Sequence, residues 1–251
     1  MSGGEPEPIF EGWDQLDWQE RRERRFQRWL SARGVVFASE RAKQDYQKRV
    51  RLLIDAITLK KPERVPVSAN VQFYATKYSG LTKREAMHDY EKMAAALVKY
   101  HEDFRPDFQA KPVAPGTVFE MLDLKFVDWP GHGLPDETPW QYVEAEYMKE
   151  DEYDTLLADP EGYFRRSLLP RFGSGFAALA SMPPFTDFME AASMPFNLLG
   201  FGKPGLVEGM QRLAEVAGEC STWLRVTGAA GSEIAGRLGI PPEWQGSAKA
   251  P

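Results

Sequence analysis

The apolar and polar positions of the chain form their clearest pattern between residues 64 and 113. Residues 64–71 are a short β-prone run flanked by breakers, which predicts a buried strand. After a loop, Thr82 and Glu85 have the spacing of a capping box, which predicts a helix that continues to about Phe104. Residues 107–113 predict a second strand. A strand, a long amphipathic helix and another strand form a βαβ unit, which is typical of a parallel sheet or barrel.

Helical spacing also precedes and follows this unit. Residues 13–33 predict one helix with its apolar positions, Trp18 among them, packed inward. A second helix begins after Ser39, a suitable N-cap, and continues to about Lys60; its inward positions are Ala42, Tyr46, Val50, Leu53, Ile54 and Ile57. Residues 1–12 are polar and rich in Pro and Gly, which predicts a flexible tail. The remaining predictions are strands at residues 124–129, 142–147 and 185–190, and helices at residues 151–157, 160–180 and 204–225.

The pattern predicts an α/β chain of the (β/α)8 TIM-barrel type, truncated to roughly the first half. Only three to five strands can be placed after residue 60, whereas a closed barrel has eight strands and about 250 residues. We therefore expect a tail (1–12), an N-terminal helical extension (13–60) and an incomplete barrel domain (61–251). On this interpretation the chain is a fragment, or one half of a split barrel that needs a complementing chain.

Composition excludes several classes of partner. The formal net charge of −6 argues against nucleic acid, because affinity for phosphate backbones needs clustered positive charge. No apolar stretch is long enough for a membrane span, and the N-terminus lacks the pattern of a signal peptide. The single cysteine, Cys220, fits a reducing compartment. These observations predict a cytoplasmic protein that binds neither nucleic acid nor membrane.

Local motifs give little direct evidence for any particular chemistry. The phosphate-loop, dinucleotide, α/β-hydrolase and HExxH zinc motifs are all absent, and one cysteine with three scattered histidines offers no zinc cluster. We expect His88 to be solvated and His101 to be a hydrogen-bonded core histidine. His132 lies in a Gly- and Pro-rich loop suited to a barrel mouth, so it is the histidine with a candidate functional role.

Candidate site residues follow from the barrel prediction, because reacting groups of such barrels lie at the C-terminal ends of the strands. Carboxylates there can act as general acids or bases, since burial raises their pKa towards neutrality. For each residue the alternative is a loop hydrogen bond or a salt bridge. The candidates chosen by position are Asn70, Gln72, Tyr74, Lys77, Lys111, Glu144, Glu146, Asp187 and Glu190.

Several short segments together resemble a known family. Residues 60–67 read Lys-Lys-Pro-Glu-Arg-Val-Pro-Val and are followed by a Gly-Leu-Thr-x-x-Glu-Ala-Met helix start. Residues 129–133 (Trp-Pro-Gly-His-Gly), 142–148 (Tyr-Val-Glu-Ala-Glu-Tyr-Met) and 152–154 (Glu-Tyr-Asp) come later. The first segment resembles the opening of the uroporphyrinogen decarboxylase superfamily, and the later ones resemble a long, poorly characterised branch of it. The resemblance spans roughly residues 25–251 and implies a (β/α)8 barrel, of which only the N-terminal part is present.

The resemblance implies one of two chemistries. One is decarboxylation of uroporphyrinogen in porphyrin and haem biosynthesis, without a cofactor; the other is zinc-dependent methyl transfer between a corrinoid and a thiol. The decarboxylases carry Arg-Gln-Ala-Gly-Arg after the first strand, where arginines hold substrate carboxylates. Residues 71–75 here read Val-Gln-Phe-Tyr-Ala, so only Gln72 matches. Methyl transfer is therefore the favoured interpretation; genuine decarboxylation and a catalytically silent chain are the alternatives.

The resemblance also bears on cofactors and partners. It implies that the zinc ligands, a His-x-Cys pair and a further cysteine, lie beyond Pro251, so this chain alone is expected to bind no cofactor. The Pro195–Phe196 segment resembles a turn after the fourth strand and places Phe196 and Asn197 near the pocket. The expected substrate is a small molecule or a corrinoid protein, with the corrinoid as substrate or partner cofactor. A homodimer is a further expectation.

Overall fold

The secondary structure differs from the expected half-barrel. The computed structural model describes residues 12–68, 71–184 and 188–242. These residues are mostly helical, and their three short strands form one small mixed sheet. The prediction of a truncated (β/α)8 barrel is therefore wrong, because such a barrel would show strands and helices alternating around a parallel sheet.

Eleven α-helices occur in the described residues. In chain order they are α1 (Trp18–Ser31), α2 (Glu40–Ile57), α3 (Tyr74–Tyr78), α4 (Lys83–His88), α5 (Tyr90–Phe104), α6 (Gly116–Leu122), α7 (Tyr153–Ala158), α8 (Pro160–Tyr163), α9 (Leu169–Phe172), α10 (Met194–Leu198) and α11 (Pro204–Leu238). The described residues also include 3-10 helices at Trp13–Gln15, Glu150–Glu152, Ser174–Ser181 and Leu199–Gly202, and a π-helix at Phe164–Leu168. None of the helices in these residues combines the length and the apolar character needed to cross a membrane.

The sheet contains β1 (Val127–Pro130), β2 (Gly133–Leu134) and β3 (Gln141–Tyr142), in the order β2-β1-β3. The pairing of β1 with β2 is parallel, and its pairing with β3 is antiparallel. The predicted strands at 124–129 and 142–147 are thus much shorter in the structure, where they correspond to β1 and β3. The predicted strand at 185–190 lies partly outside the described residues, as does most of the predicted tail.

The chain divides into two compact units. Unit 1 comprises Met1–Ser79, Ala94–Pro112 and Thr227–Pro251, and unit 2 comprises Gly80–Met93 and Val113–Val226. The boundaries fall within α5 and α11, so each of these helices contributes residues to both units.

Helix starts follow the sequence signals closely. The Ser39 hydroxyl accepts from the backbone N–H of Ala42 and caps α2, as predicted. Thr82 and Glu85 form the predicted capping box at the start of α4. The predicted helix beyond it is interrupted at Asp89, whose side chain accepts from the backbone N–H of Lys92. Asp89 therefore caps the new helix α5, since a short polar side chain competes with helical hydrogen bonds.

The two strands predicted from the βαβ pattern do not form. Among the described residues of 64–71, Val65 and Val67 are exposed, and no named strand covers them or residues 107–113. One backbone hydrogen bond joins the segments, from the N–H of Asp107 to the carbonyl of Val67 (2.9 Å). Pro66 has no N–H to extend such pairing. The β-prone residues form no strand here, and they are held by hydrogen bonds to Asp107 instead of by a β-ladder.

Two predicted helices have different bounds in the structure. The helix predicted at 160–180 is divided into α8, the π-helix, α9 and the 3-10 helix Ser174–Ser181. The helix predicted at 204–225 is α11, which continues to Leu238 and is 35 residues long. Gly239, with φ +62°, follows α11 in the left-handed conformation that glycine adopts readily.

The core of unit 1 is built mainly from α2 and the last turns of α11. Tyr46 and Val50 of α2 are buried with Ala32 and Ala235, and Trp29 packs against this cluster. A second cluster contains Ile234, Leu238 and Ile240, with Val98 packed against it. The predicted inward positions of α2 are largely confirmed. Trp18, predicted to face inward from α1, is instead exposed.

The core of unit 2 surrounds Trp129. This side chain is fully buried, and its ring packs edge-on against that of Phe119, with 5.7 Å between the ring centroids. Tyr163 and Leu168 are also buried in unit 2. Among the residues that the structure describes, the indole N–H of Trp129 has no hydrogen-bond partner. Trp129 therefore contributes through apolar burial and ring contacts.

Candidate functional site

The predicted site residues are distributed over both units. Unit 1 contains Gln72, Tyr74 and Lys111, all exposed. Unit 2 contains His132, Glu146, Phe196 and Asn197, of which only Asn197 is partly buried. Asn70 and Asp187 lie outside the described residues. The barrel mouth that was expected to unite these residues does not form, because the predicted strands that carried them are absent.

Gln72 and Tyr74 lie at a turn into α3 rather than at the end of a strand. Gln72 has φ +40°, in the left-handed region that residues other than glycine rarely adopt. Tyr74 belongs to an aromatic cluster in which Tyr78 and Phe104 are also exposed and Tyr100 is buried, with ring centroids 4.9–6.3 Å apart. The rings pack on one another, so the cluster is a surface and encloses no cage for a ligand.

The loop that contains His132 is fixed by the turn between β1 and β2. The His132 backbone N–H donates to the carbonyl of Trp129 (2.8 Å), and Gly131 and Gly133 both have positive φ. The imidazole stacks flat on the Trp129 ring, with centroids 4.1 Å apart and planes 11° from parallel. One face of His132 thus rests on the core while the residue remains exposed. The position in an exposed loop agrees with the prediction, although the loop does not lie at a barrel mouth.

Elsewhere in unit 2, Glu152 connects segments that are separate in sequence. Its carboxylate accepts two hydrogen bonds from Arg171 (2.5 and 2.7 Å) and one from the Tyr163 hydroxyl (2.9 Å). The Arg171 hydrogen bonds, together with one from the backbone N–H of Lys149, lower the pKa of Glu152 to about 2. The same contact raises the pKa of Arg171. Glu152 is therefore a structural anion at neutral pH, unsuited to proton transfer.

An open cleft of about 450 Å³ lies on unit 2. The turn between α4 and α5 and one stretch of α11 supply its lining: Arg84, Glu85, His88, Asp89, Tyr90, Glu91, Lys92, Thr222, Arg225 and Val226. His88 is partly buried, with Nε2 2.9 Å from a carboxylate oxygen of Glu120 and Nδ1 2.9 Å from the carbonyl of Arg84. The expectation that His88 would be solvated is therefore wrong.

The position of His88 depends on Gly116. A Cβ atom at residue 116 would lie 2.6 Å from the imidazole, which is closer than any ordinary contact. Neither Gly116 nor Glu120 is marked in the sequence as a partner of His88, because their proximity arises from the packing of α6. No local signal could have identified this pair.

The charges around the cleft largely compensate one another. A backbone hydrogen bond from Lys92 lowers the pKa of Asp89, and hydrogen bonds from Thr82 lower the pKa of Glu85. Both carboxylates raise the pKa of Lys92. Burial, followed by the hydrogen bond to Glu219, raises the pKa of Tyr90 to about 12. The cleft therefore contains paired ions and a neutral phenol, and it presents no activated nucleophile.

The buried histidine of unit 1 has a structural role, as predicted. His101 is fully buried; its Nδ1 lies 2.7 Å from the carbonyl of Leu97, and its Nε2 accepts from the N–H of Ala110 (2.9 Å). Because a backbone N–H can only donate, Nε2 must be unprotonated while this bond exists. Burial lowers the pKa of His101, which favours the same neutral form.

The resemblance implies zinc-dependent chemistry, but the described residues offer no zinc-binding site. Across residues 12–68, 71–184 and 188–242, no three His, Cys, Asp or Glu side chains come together as metal ligands. Cys220 is partly buried on α11. We therefore derive no step that passes through zinc.

Comparison of the chain with protein-family models, with curated proteins and with solved structures gives no match. Functional inference consequently depends on the residues and their geometry, together with the resemblance of the short segments.

Proposed function

We propose that the protein acts in corrinoid- or tetrapyrrole-linked methyl transfer, the chemistry that the resemblance to the uroporphyrinogen decarboxylase superfamily implies. The observation that carries the proposal is the arrangement of three resembling segments, residues 129–133, 142–148 and 152–154. Although they are separate in sequence, hydrogen bonds in unit 2 connect the second segment to the third and to residues 125–128, which directly precede the first. A resemblance of segments that lay apart in the structure would support the proposal less strongly.

The connections between these segments are specific. Strands β1 and β3 pair residues 127–128, which directly precede the first segment, with residues 141–142, where the second segment begins. The Tyr147 hydroxyl, from the second segment, donates to the carbonyl of Lys125 (3.1 Å). Arg171 then donates both to the carbonyl of Tyr147 (2.8 Å) and to Glu152 of the third segment. The framework supports the exposed loop that carries His132.

His132 is the side chain in this framework best suited to meet a ligand. Its ring is oriented by Trp129 and remains exposed. A histidine can bind a metal centre or move a proton, whereas Glu152 is already saturated by its partners. We infer that a corrinoid or tetrapyrrole ligand approaches unit 2 at this loop.

A binding titration tests the proposal directly. The purified chain is titrated into methylcobalamin, and binding is followed by visible absorbance. We expect saturable binding that His132→Ala weakens at least several-fold. The matched control is His88→Ala, because His88 is a histidine of the same unit that already contacts Glu120. Absence of saturable binding, or equal loss in both variants, would contradict the proposal.

A turnover assay then distinguishes the chemistries. The chain is incubated with methylcobalamin and a thiol such as coenzyme M, and the methyl thioether is measured by mass spectrometry. Its formation supports methyl transfer. Conversion of uroporphyrinogen to coproporphyrinogen in a parallel assay would instead favour decarboxylation. Binding of methylcobalamin without either product would identify a catalytically silent binding chain and overturn the proposed methyl transfer.

A further inference from the structure

The cleft on unit 2 has walls that hydrogen bonds hold in place. The Tyr90 hydroxyl, at the start of α5, donates to the carboxylate of Glu219 on α11 (2.5 Å). His88 of α4 is held in turn by Glu120 of α6, whose carboxylate lies 2.9 Å from Nε2. The volume of about 450 Å³ lies within the range of small-molecule sites, which are usually largely formed before the ligand arrives.

Most charged side chains that line the cleft already have partners in the protein. Arg84 pairs with Asp136 (3.6 Å), and the Lys92 ammonium lies 3.4 Å from Glu85 and 3.3 Å from Asp89. Glu85 and Asp89 also accept hydrogen bonds from backbone N–H groups at the starts of α4 and α5. A ligand gains little from such groups, because each new hydrogen bond replaces one that already exists.

Arg225 and Glu91 differ from the other charged residues of the lining. Both are exposed, and within the part of the chain that the structure describes neither side chain makes a hydrogen bond or an ion pair. Glu91 belongs to the first turn of α5 and Arg225 to α11, so the two charges stand on different elements of the cleft and do not neutralise one another. The cleft thus offers a ligand one unused positive charge and one unused negative charge.

These two unused charges select the charge type of a ligand. A simple anion is attracted by Arg225 and repelled by Glu91, and a simple cation meets the opposite forces. A zwitterion satisfies both residues, because its carboxylate can accept two parallel hydrogen bonds from the Arg225 guanidinium while its ammonium group donates to Glu91. Val226, a buried residue of the same lining, offers an apolar contact to the carbon chain of such a ligand.

We propose that the cleft of unit 2 binds a zwitterionic small molecule, an α-amino acid or a short peptide, with its carboxylate on Arg225 and its ammonium group on Glu91. The amino acid and the peptide share this chemistry and differ in the distance between their two charges. His132 is not among the residues that line the cleft, so this inference does not depend on the proposed methyl transfer.

Isothermal titration calorimetry with matched ligands tests the charge requirement. Leucine carries both charges, isocaproate is leucine without the ammonium group, and isopentylamine is leucine without the carboxylate; leucyl-leucine carries its two charges further apart. We expect saturable binding of leucine or leucyl-leucine, about tenfold tighter than that of either single-charge ligand, since each loses a charge-assisted hydrogen bond. Binding of leucine identifies a free amino acid as the ligand, and binding of leucyl-leucine alone identifies a peptide. Absence of saturable binding of both zwitterions, or a single-charge ligand that binds as tightly, would overturn the proposal.

Two charge-neutralising variants test the residues themselves. Arg225→Gln should weaken binding of the zwitterion about tenfold and remove its advantage over isopentylamine, and Glu91→Gln should remove its advantage over isocaproate. The matched controls are Arg212→Gln and Glu215→Gln, two exposed residues of α11 outside the lining, which should bind like the wild type. Equal losses in the variants and their controls would contradict the assignment. Thermal melting verifies that each variant is folded, and the ligand comparison on the wild-type chain decides the proposal where a variant does not fold.

Discussion

The two units stabilise their charged groups in different ways. In unit 1 the carboxylate of Asp107 is 1% exposed and accepts hydrogen bonds from Arg64 (2.5 and 2.6 Å) and from the backbone N–H of Val67 (2.6 Å). Arg49, also mostly buried, lies 3.9 Å from the same carboxylate. Among the described residues of unit 2 no carboxylate is buried to this extent, and an ion pair such as that between Arg84 and Asp136 is half-exposed.

This difference indicates what each set of charges does. A buried charge must have its partners in place, so Asp107 fixes the extended residues 64–68 against residues 107–113. An exposed ion pair contributes little, because water screens it. We therefore expect unit 1 to be more sensitive than unit 2 to the loss of a single charge.

The largest expected effect is at Asp107. Asp107→Asn keeps the shape of the side chain and removes the charge that faces Arg49 and Arg64, so we expect a loss of about 3–5 kcal/mol in the free energy of unfolding. Urea denaturation followed by circular dichroism measures this loss. Asp103→Asn is the matched control in the same unit, since Asp103 is partly exposed and pairs with Lys99 on the helix surface. Equal losses in the two variants would remove the distinction between buried and exposed charge.

The next effect concerns the neutral histidine of unit 1. His101→Leu preserves bulk but leaves the buried N–H of Ala110 without its acceptor, which we expect to destabilise the chain by about 1–3 kcal/mol at pH 8. The free energy of unfolding at constant pH is again the measurement. A variant as stable as the wild type would show that this hydrogen bond is unimportant.

The dependence of stability on pH provides a second test of the role of His101 in unit 1. Burial lowers the pKa of His101 in the folded state below its ordinary value of 6.5, so the unfolded chain takes up the proton more readily. The contribution of His101 to the free energy of unfolding is therefore complete above pH 6.5, and it is lost as the pH falls from 6.5 towards the lowered pKa. Urea midpoints measured at intervals between pH 8 and pH 5 should decrease for the wild type, with a smaller slope for His101→Leu. Parallel slopes would contradict the assignment.

A smaller effect is expected for the strongest ion pair of unit 2. Glu152→Gln removes the charge that Arg171 faces, and the loss of stability should be less than that of Asp107→Asn because both partners remain partly exposed. The pKa of Glu152 lies at about 2, below its ordinary 4.5. The stabilisation is thus present above pH 4.5 and is lost as the pH falls towards 2. Urea denaturation at pH 7 and pH 3 measures both the loss of stability in the variant and its dependence on pH. The control is Glu150→Gln, an exposed neighbour, which should change little.

The smallest effect is expected at the exposed histidine of unit 2. His132→Ala removes the stack on Trp129 and should cost less than about 1 kcal/mol, since the indole remains buried by other residues. His132→Phe retains a flat ring and should restore the wild-type stability in the same urea experiment. A loss comparable to that of Asp107→Asn would show that the loop is essential to the fold of unit 2.

Local signals were the most informative part of the sequence. The caps at Ser39 and Thr82 were predictable, because a capping side chain bonds backbone groups within three residues of itself. His101 was predictable as a core residue because it lies on the apolar stripe of its helix. The strand at residues 64–71 was not, since strands require a partner that periodicity cannot identify.

In the candidate site, too, local features could be predicted from the sequence and long-range contacts could not. The exposed loop of His132 was recognisable from its glycines and prolines, which mark a turn on sequence grounds alone. The partners of His88 and Glu152 were not recognisable, because Glu120 and Arg171 are 32 and 19 residues away along the chain. Residues chosen by their place in a barrel, such as Lys111 and Glu146, depended on strands that do not form.

The sequence by itself determined where helices such as α2, α4 and α11 begin, which face of α2 is buried, and that His101 is internal. These properties depend on side chains within one or two helical turns of one another. Only the tertiary structure decided that residues 64–68 are fixed by a buried carboxylate rather than by a sheet, and that His88 pairs with Glu120. The physical reason is that a hydrogen bond or ion pair depends on distance in space, and folding brings together groups whose separation along the chain gives no sign of it.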